Sequence, residues 1–169
     1  MNYALIKEHD TANGTGVRVS LFVSGCTHHC KGCFNEVAWD FNYGKPYTKE
    51  TEDKIIELLD RPYIKGLSLL GGEPMEKVNQ KSLLPLILRV KEKFGDTKNI
   101  WVYSGYTLEE MQDKNSRCYC EETIEILKRI DVLVDGEFKE ELKDLRLQFR
   151  GSSNQRIIEM KDVDLSKKL

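Results

Sequence analysis

Three cysteines lie close together in one segment of the sequence. Cys26, Cys30 and Cys33 follow the alternating apolar run Val17–Val23, a pattern typical of a buried strand. Three thiolates on one loop leave a four-ligand metal centre one ligand short. They can instead bind three irons of a cubane 4Fe-4S cluster and leave the fourth iron open. The spacing therefore predicts a 4Fe-4S cluster at which a small molecule can bind and be reduced.

A structural zinc ion is the alternative interpretation of this loop. His28 or His29 could complete a tetrahedral Cys3His set. Zinc sites of this kind usually combine two separated ligand pairs, whereas all of these candidates lie within residues 26–33. Cys118 and Cys120 form a looser pair, for which the sequence leaves open incidental thiols at a helix start or an accessory metal or redox site.

Length and composition indicate one globular domain over residues 1–169. The chain is 40% hydrophobic and 32% charged, with a formal net charge of -2. The charges form no basic stripe, so nucleic-acid binding is not expected. The first residues lack the apolar core of a signal peptide, and no apolar run is long enough to span a membrane. We therefore expect a cytoplasmic protein with reduced thiols and no membrane partner.

Apolar stretches alternate with helical patterns along the chain. Predicted strands cover residues 17–23, 64–70, 99–103 and 131–134, and predicted helices cover residues 50–59, 79–94 and 121–130. Thr48 is a plausible cap for the first helix and Gly95 a stop for the second. Pro85 suggests that the second helix begins near Leu84, with the proline in its first turn. This alternation predicts an α/β fold with a mainly parallel sheet, built as an open partial (βα) barrel smaller than a full TIM barrel.

Unusual residues follow each of the four predicted strands. The carboxyl ends of parallel strands share one edge of a sheet, where α/β proteins form their sites. Tight turns alone could explain the glycines and the Asp-Gly pair, but their convergence on one edge predicts a binding site. Besides the three cysteines, the candidates there are Gly71, Gly72, Glu73, Ser104 and Asp135.

A late polar segment, residues 150–156, carries two arginines around small polar residues. It could be a surface loop, or it could clamp a carboxylate or a partner chain. The candidate contact residues are Arg150, Asn154 and Arg156.

The sequence resembles the radical S-adenosylmethionine superfamily. The C-x3-C-x2-C loop after a first strand and Gly-Gly-Glu after the second are its two best-known marks. Three segments resemble the activating enzymes of anaerobic ribonucleoside-triphosphate reductases: GCTHHCKGCFN at residues 25–35, WVYSGY at residues 101–106 and FRGSSNQRII at residues 149–158. Many superfamily members carry an aromatic residue just before the third cysteine, where this chain has Gly32. The similarity runs from about residue 14 to residue 158.

The resemblance implies a cofactor set and a reaction. Cys26, Cys30 and Cys33 would hold the 4Fe-4S cluster, whose open iron would chelate S-adenosylmethionine. Gly71, Gly72 and Glu73 match the motif that binds the amino group of the cofactor. Ser104 and Asp135 lie where relatives contact its methionyl or ribose part.

The implied reaction is the activation of a glycyl radical enzyme. An external donor such as flavodoxin would supply an electron, and cleavage of S-adenosylmethionine would give a 5′-deoxyadenosyl radical. That radical would abstract a hydrogen from a glycine of the reductase, which would dock over the strand ends near residues 150–156.

Other functions stay open on the sequence. The cysteine loop alone does not distinguish the activase of another glycyl radical enzyme, such as a formate-lyase type, or a small-molecule radical enzyme. A zinc-stabilised binding module without catalysis is an alternative from a different class.

Overall fold

The computed structural model describes residues 1–166, which form one seven-stranded sheet. The strand order is β3-β1-β2-β4-β5-β6-β7. The strands are β1 (Asn2–Asp10), β2 (Val17–Val23), β3 (Lys45–Pro46), β4 (Ile64–Gly71), β5 (Asn99–Ser104), β6 (Val132–Asp135) and β7 (Arg156–Glu159).

The four predicted strands form the parallel centre of this sheet. Strands β2, β4, β5 and β6 pair in parallel, while β1, β3 and β7 join antiparallel at the two sides. Among residues 1–166 the sheet does not close, since β3 and β7 lie at opposite edges. The mixed α/β class with its parallel central strands is therefore confirmed, and the sequence patterns missed the three antiparallel strands.

The three predicted helices are found in the described chain, although the last one ends at Leu127 and not at residue 130, and the sequence patterns missed one short helix over Leu108–Gln112. The α-helices are α1 (Lys49–Leu59), α2 (Lys77–Phe94), α3 (Leu108–Gln112) and α4 (Glu121–Leu127). Thr48 caps α1 in a capping box with Thr51, as predicted. The predicted start of the second helix near Leu84 is wrong, because α2 begins at Lys77 and continues through Pro85. Burial of Leu83, Leu86 and Ile87 on one face outweighs the amide hydrogen bond that proline cannot make.

The helices bury one face of the sheet. Val19 and Leu21 of β2, Leu67 and Leu69 of β4, and Leu133 of β6 belong to one apolar cluster with residues of α1, α2 and α4. These strand residues alternate along their strands, so the intervening side chains point to the opposite face. The helices thus cover one face and leave the other available for a cavity.

A row of four side chains crosses this second face. In register, Phe22 of β2 lies beside Leu70 of β4, and Tyr103 of β5 lies beside Val134 of β6. All four line the same cavity at the carboxyl ends of the strands. None of the described helices is long and apolar enough to cross a membrane.

The packing of α2 predicts unequal effects for two leucines of that helix. Leu86 is fully buried, whereas Leu88 is 41% exposed. We expect Leu86→Ala to lower the free energy of unfolding by about 3 kcal/mol, because it leaves a cavity in the core. The control Leu88→Ala should cost less than about 1 kcal/mol. Chemical denaturation measures both, and equal losses would contradict this assignment of the buried face.

Candidate cofactor site at the strand ends

A cavity of about 600 Å³ lies at the carboxyl ends of β2, β4, β5 and β6. The segments that follow these four strands all contribute lining residues, so the predicted convergence on one edge of the sheet is found. Those of the candidate site residues that line the cavity are Cys26, Cys30, Cys33, Gly71, Gly72, Glu73, Ser104 and Arg150.

Backbone hydrogen bonds fix the cysteine loop where it leaves β2. The amide of Gly25 donates to the carbonyl of Ala38 at 2.7 Å, and the amide of Cys26 donates to the carbonyl of Trp39 at 3.2 Å. Gly25 has φ +101°, and a Cβ there would meet the Phe41 ring at 2.2 Å. The tight exit from the strand therefore requires glycine and directs the three cysteines toward the cavity.

The three cysteines are unpaired thiols that line one cavity. No three His, Cys, Asp or Glu side chains of residues 1–166 are grouped so that they could hold a single metal ion. In an iron–sulfur cubane each thiolate binds a different iron, so the ligands are spread around the cluster. Three thiols of one loop, each for a different iron, fit the donor set of a 4Fe-4S cluster whose fourth iron is open.

Burial changes the acidity of two of these thiols. It raises the pKa of Cys26 to about 12, and it also raises the pKa of Cys30. Both thiols are therefore protonated at neutral pH in the metal-free protein. Since iron binds thiolates, loading a cluster here must release protons.

The Gly-Gly pair after β4 packs backbone to backbone against the cysteine loop. The amide of Gly72 donates to the carbonyl of Val23 at 2.8 Å, and the amide of Glu73 donates to the carbonyl of Gly25 at 2.8 Å. A Cβ on Gly72 would lie 2.7 Å from the Gly25 carbonyl oxygen. Only glycine allows this approach, so the turn and the loop are held together as one unit.

The carboxylate of Glu73 organises this unit from a buried position. Oε1 accepts hydrogen bonds from His28 Nε2 at 2.8 Å and from the Gly105 amide at 2.6 Å. Oε2 accepts from Ser104 Oγ at 2.7 Å and from the Met75 amide at 2.9 Å. One side chain thus joins the cysteine loop, its own turn and the end of β5.

His28, which could have completed a zinc site, lies between two carboxylates. Its Nε2 is 2.8 Å from Glu73 Oε1, and its Nδ1 is 2.8 Å from Glu137 Oε1. Burial of the ring lowers the pKa of His28, but the hydrogen bonds that the ring donates to Glu73 and Glu137, together with the negative charges of these carboxylates, outweigh burial and raise the net pKa above its usual value. These contacts make His28 a structural link in the cysteine loop.

A second acidic anchor was missed in the sequence. Oε1 of Glu76 accepts hydrogen bonds from Thr27 Oγ1 at 2.7 Å and from Tyr106 Oη at 3.0 Å. Glu76 is mostly buried although it directly precedes α2. The only sequence signal was its position just after Gly-Gly-Glu-Pro, so a sequence pattern could not separate it from an ordinary helix-start acid.

Asp135 is buried at the end of β6 and is bound by protein groups. Its carboxylate accepts from Arg156 Nη2 at 2.5 Å, from Arg156 Nε at 2.9 Å and from the Leu108 amide at 2.8 Å. Arg156 also contacts Glu109, and its hydrogen bonds with Asp135 and then Glu109 raise the pKa of its guanidinium. The antiparallel register of β6 and β7, which pairs Asp135 with Arg156, brings them together.

The segment between β6 and β7 is held by its own polar side chains. The side chain of Asn154 donates to the carbonyl of Glu137 at 2.8 Å, and that of Gln155 donates to the carbonyl of Gly136 at 2.9 Å. Arg150 donates to the carbonyl of Gln155 at 3.3 Å. The late polar segment, for which the sequence left open a surface loop or a clamp, is therefore tied to the turn that follows β6.

A buried cation lies on the cavity face of β2. Arg18 is fully buried, and it donates to Ser68 Oγ at 2.7 Å and to the carbonyl of Leu67 at 3.0 Å. Its guanidinium lies 5.5 Å from the centre of the Trp101 ring. Burial lowers the pKa of Arg18 to about 10, so it remains charged at neutral pH.

Cys118 and Cys120 lie away from the cavity. Cys118 is buried in the main apolar cluster, and Cys120 directly precedes α4 as its N-cap. The thiol of Cys120 is 3.3 Å from Gln80 Oε1. These contacts fit the interpretation of incidental thiols at a helix start.

Comparisons with known proteins identify relatives over most of the chain. A family model described as a 4Fe-4S single cluster domain matches residues 12–158. The chain is 47% identical over 157 residues to the anaerobic ribonucleoside-triphosphate reductase-activating protein of Vibrio cholerae, covering 92% of this chain and 96% of that protein. The proteins of the same name from Haemophilus influenzae and Escherichia coli K12 are 45% and 43% identical, with the same coverage of both chains.

The ion pair at the end of β6 predicts a stability effect. Arg156→Gln should lower the free energy of unfolding by about 2 kcal/mol, because it leaves the buried Asp135 carboxylate without its charged partner. The control is Arg146→Gln, since Arg146 is 90% exposed and pairs with Asp144. That control should stay within about 0.5 kcal/mol of the wild type in denaturant unfolding. A loss as small for Arg156→Gln would show that the pair contributes little.

Proposed function

The chain belongs to the family of the anaerobic ribonucleoside-triphosphate reductase-activating proteins, and we propose that it generates the glycyl radical of such a reductase. A 4Fe-4S cluster held at the cavity would supply one electron, received from an external reductant, for the cleavage of S-adenosylmethionine to methionine and a 5′-deoxyadenosyl radical, and that radical would take a hydrogen atom from a glycine Cα. Methionine, 5′-deoxyadenosine and the stored glycyl radical are the products. The chain is thus a radical S-adenosylmethionine enzyme whose substrate is a protein.

One observation carries this proposal. The three thiols and the Gly-Gly-Glu turn border the same cavity, and backbone hydrogen bonds from Gly72 to the last residue of β2 and from Glu73 to Gly25 of the cysteine loop join the two motifs directly. The cluster and S-adenosylmethionine must be in contact for an electron to pass from the cluster into a bond of S-adenosylmethionine. Motifs fixed to each other in this way suit that requirement because they remove relative motion.

The proposed roles follow the positions of the residues. Cys26, Cys30 and Cys33 hold three irons, and Gly71 and Gly72 offer backbone groups to the amino end of S-adenosylmethionine. Glu73, Ser104 and Asp135 belong to the same cofactor site, where they act from within hydrogen-bond networks.

The row of Phe22, Leu70, Tyr103 and Val134 offers an apolar surface along which the rest of the cofactor can lie. No side chain of this chain has to act as an acid or a base, because a hydrogen atom is transferred and not a proton.

The shape of the sheet suits a protein substrate. We propose that residues 1–169 are one domain built as an open partial (βα) barrel, because an open edge lets a polypeptide loop reach the cavity. Arg150 lines that cavity, which supports a partner contact near Arg150, Asn154 and Arg156. The electron donor in this proposal is a reduced carrier such as flavodoxin, and the free thiols suit the reducing cytoplasm.

A radical assay tests the function. Under anaerobic conditions the reconstituted protein, a chemical reductant, S-adenosylmethionine and an anaerobic ribonucleoside-triphosphate reductase should yield a glycyl radical signal in electron paramagnetic resonance. The matched control replaces the target glycine of the reductase by alanine and should give no signal. A signal with a formate-lyase-type enzyme and none with the reductase would assign the chain to that other partner.

Substitution of single cysteines gives a second prediction. Any one of Cys26→Ala, Cys30→Ala and Cys33→Ala should abolish cleavage of S-adenosylmethionine, because each removes one cluster ligand. The matched control Cys118→Ala with Cys120→Ala should keep cleavage at a rate within about threefold of the wild type, with a stability loss of about 1 kcal/mol from the buried Cys118. Chromatographic measurement of 5′-deoxyadenosine gives the rates.

Metal analysis distinguishes the proposed enzyme from the alternative function, a zinc-stabilised binding module without catalysis. After anaerobic purification we expect iron and sulfide together with visible absorbance, and their loss in the three cysteine variants. A stoichiometric zinc ion without iron would contradict the proposed function.

A further inference from the structure

We propose that His28 is a positioning residue that locks the cysteine loop to the Gly-Gly-Glu turn and so sets how S-adenosylmethionine lies against the cluster. This inference rests on the proposed function and deepens it. The cysteines and the Gly-Gly-Glu turn supply the ligands, and His28 adds a side-chain contact with Glu73 to the backbone hydrogen bonds that hold the two motifs together.

The ring of His28 bridges segments that are distant in sequence. His28 stands between Cys26 and Cys30 in the sequence. Its Nε2 lies 2.8 Å from Glu73 Oε1, and the two residues are 45 positions apart in the chain. The side chains of His28 and Glu73 are only 3% and 1% exposed. A buried hydrogen bond to a carboxylate is stronger than a neutral one and holds its partners in fixed geometry.

The carboxylate of Glu73 has little capacity left for a further ligand. Each of its two oxygens already accepts two hydrogen bonds, from the cysteine loop, from its own turn and from the end of β5. The side chain is therefore suited to holding these segments at a common point. His28 is the donor through which the cysteine loop joins that point.

The surroundings of His28 fix its ring on several sides. Its Nδ1 contacts Glu137 at 2.8 Å, and Arg117 Nη2 lies 3.3 Å from the same nitrogen. The Tyr106 ring packs at 4.3 Å between centroids. A Cβ on Gly105 would lie 2.7 Å from His28 Nε2, so the chain leaves room at that position for the imidazole.

The neighbouring histidine provides a matched control. His29 is exposed, has φ +51° and stacks on Trp39 at 4.4 Å. It lies in the same loop, but no carboxylate hydrogen bond to it is found in the described chain. Asparagine tolerates a left-handed backbone, so His29→Asn changes the loop without strain.

The test compares three variants of the full chain after anaerobic cluster reconstitution. His28→Asn is too short to reach Glu73, His28→Gln places an amide donor near the position of Nε2, and His29→Asn is the control. The measurements are iron and sulfide content, the electron paramagnetic resonance spectrum of the reduced cluster with and without S-adenosylmethionine, and KM for S-adenosylmethionine.

We expect His28→Asn to keep its iron while KM for S-adenosylmethionine rises about 10- to 100-fold, a range taken from the loss in affinity or activity when a positioning partner is removed at a metal site. The spectral change caused by S-adenosylmethionine should weaken in parallel. His28→Gln should recover most of both properties, and His29→Asn should match the wild type.

Two results would overturn the inference. One is a wild-type KM and a wild-type spectral change in His28→Asn. The second result concerns His28→Gln and is used if His28→Asn loses its iron. Loss of iron or a raised KM for S-adenosylmethionine in His28→Gln would then contradict a role for the Nε2 contact. A wild-type protein that fails to cleave S-adenosylmethionine would instead count against the proposed function.

Discussion

The site depends on the burial of one carboxylate. Glu73 is 1% exposed, and an ionised carboxylate in such a position is costly unless hydrogen bonds replace its water. The donors that replace it come from His28, from the Met75 amide and from Ser104 and Gly105 at the end of β5. The need to satisfy this single group therefore brings three segments of the chain to one point.

Two other acidic side chains along this edge of the sheet are also held by hydrogen bonds from neighbouring segments. Glu76 accepts hydrogen bonds from Thr27 and Tyr106, and Asp135 accepts them from Arg156 and the Leu108 amide. Three buried or mostly buried acids thus tie together the segments after β2, β4, β5 and β6. A rim held in this way is ordered before any ligand arrives, which lowers the entropic cost of binding.

The sequence was sufficient for the central parallel strands and for the convergence of the cysteine loop and the Gly-Gly-Glu turn on one edge of the sheet, and physical reasons explain what it could not reveal. Short apolar stretches, the first of them alternating, identified the buried parallel strands. Strand β1 is half exposed and β3 is only two residues long, so neither has a clear pattern. The spacing of the cysteines and the Gly-Gly-Glu turn were visible locally. The partners of His28 and Arg156 depend on contacts across the sheet and on strand register, which no local pattern encodes.

The buried side chain of Arg18 affects the electrostatic potential of the interior as well as its packing. Its guanidinium carries a full positive charge at neutral pH, and the wall of β2 and β4 excludes solvent from it. Dissolved ions screen exposed charges, but they cannot approach a buried one closely. The electrostatic potential that Arg18 imposes on the interior is therefore a permanent property of the polypeptide, nearly insensitive to the ionic strength of the medium.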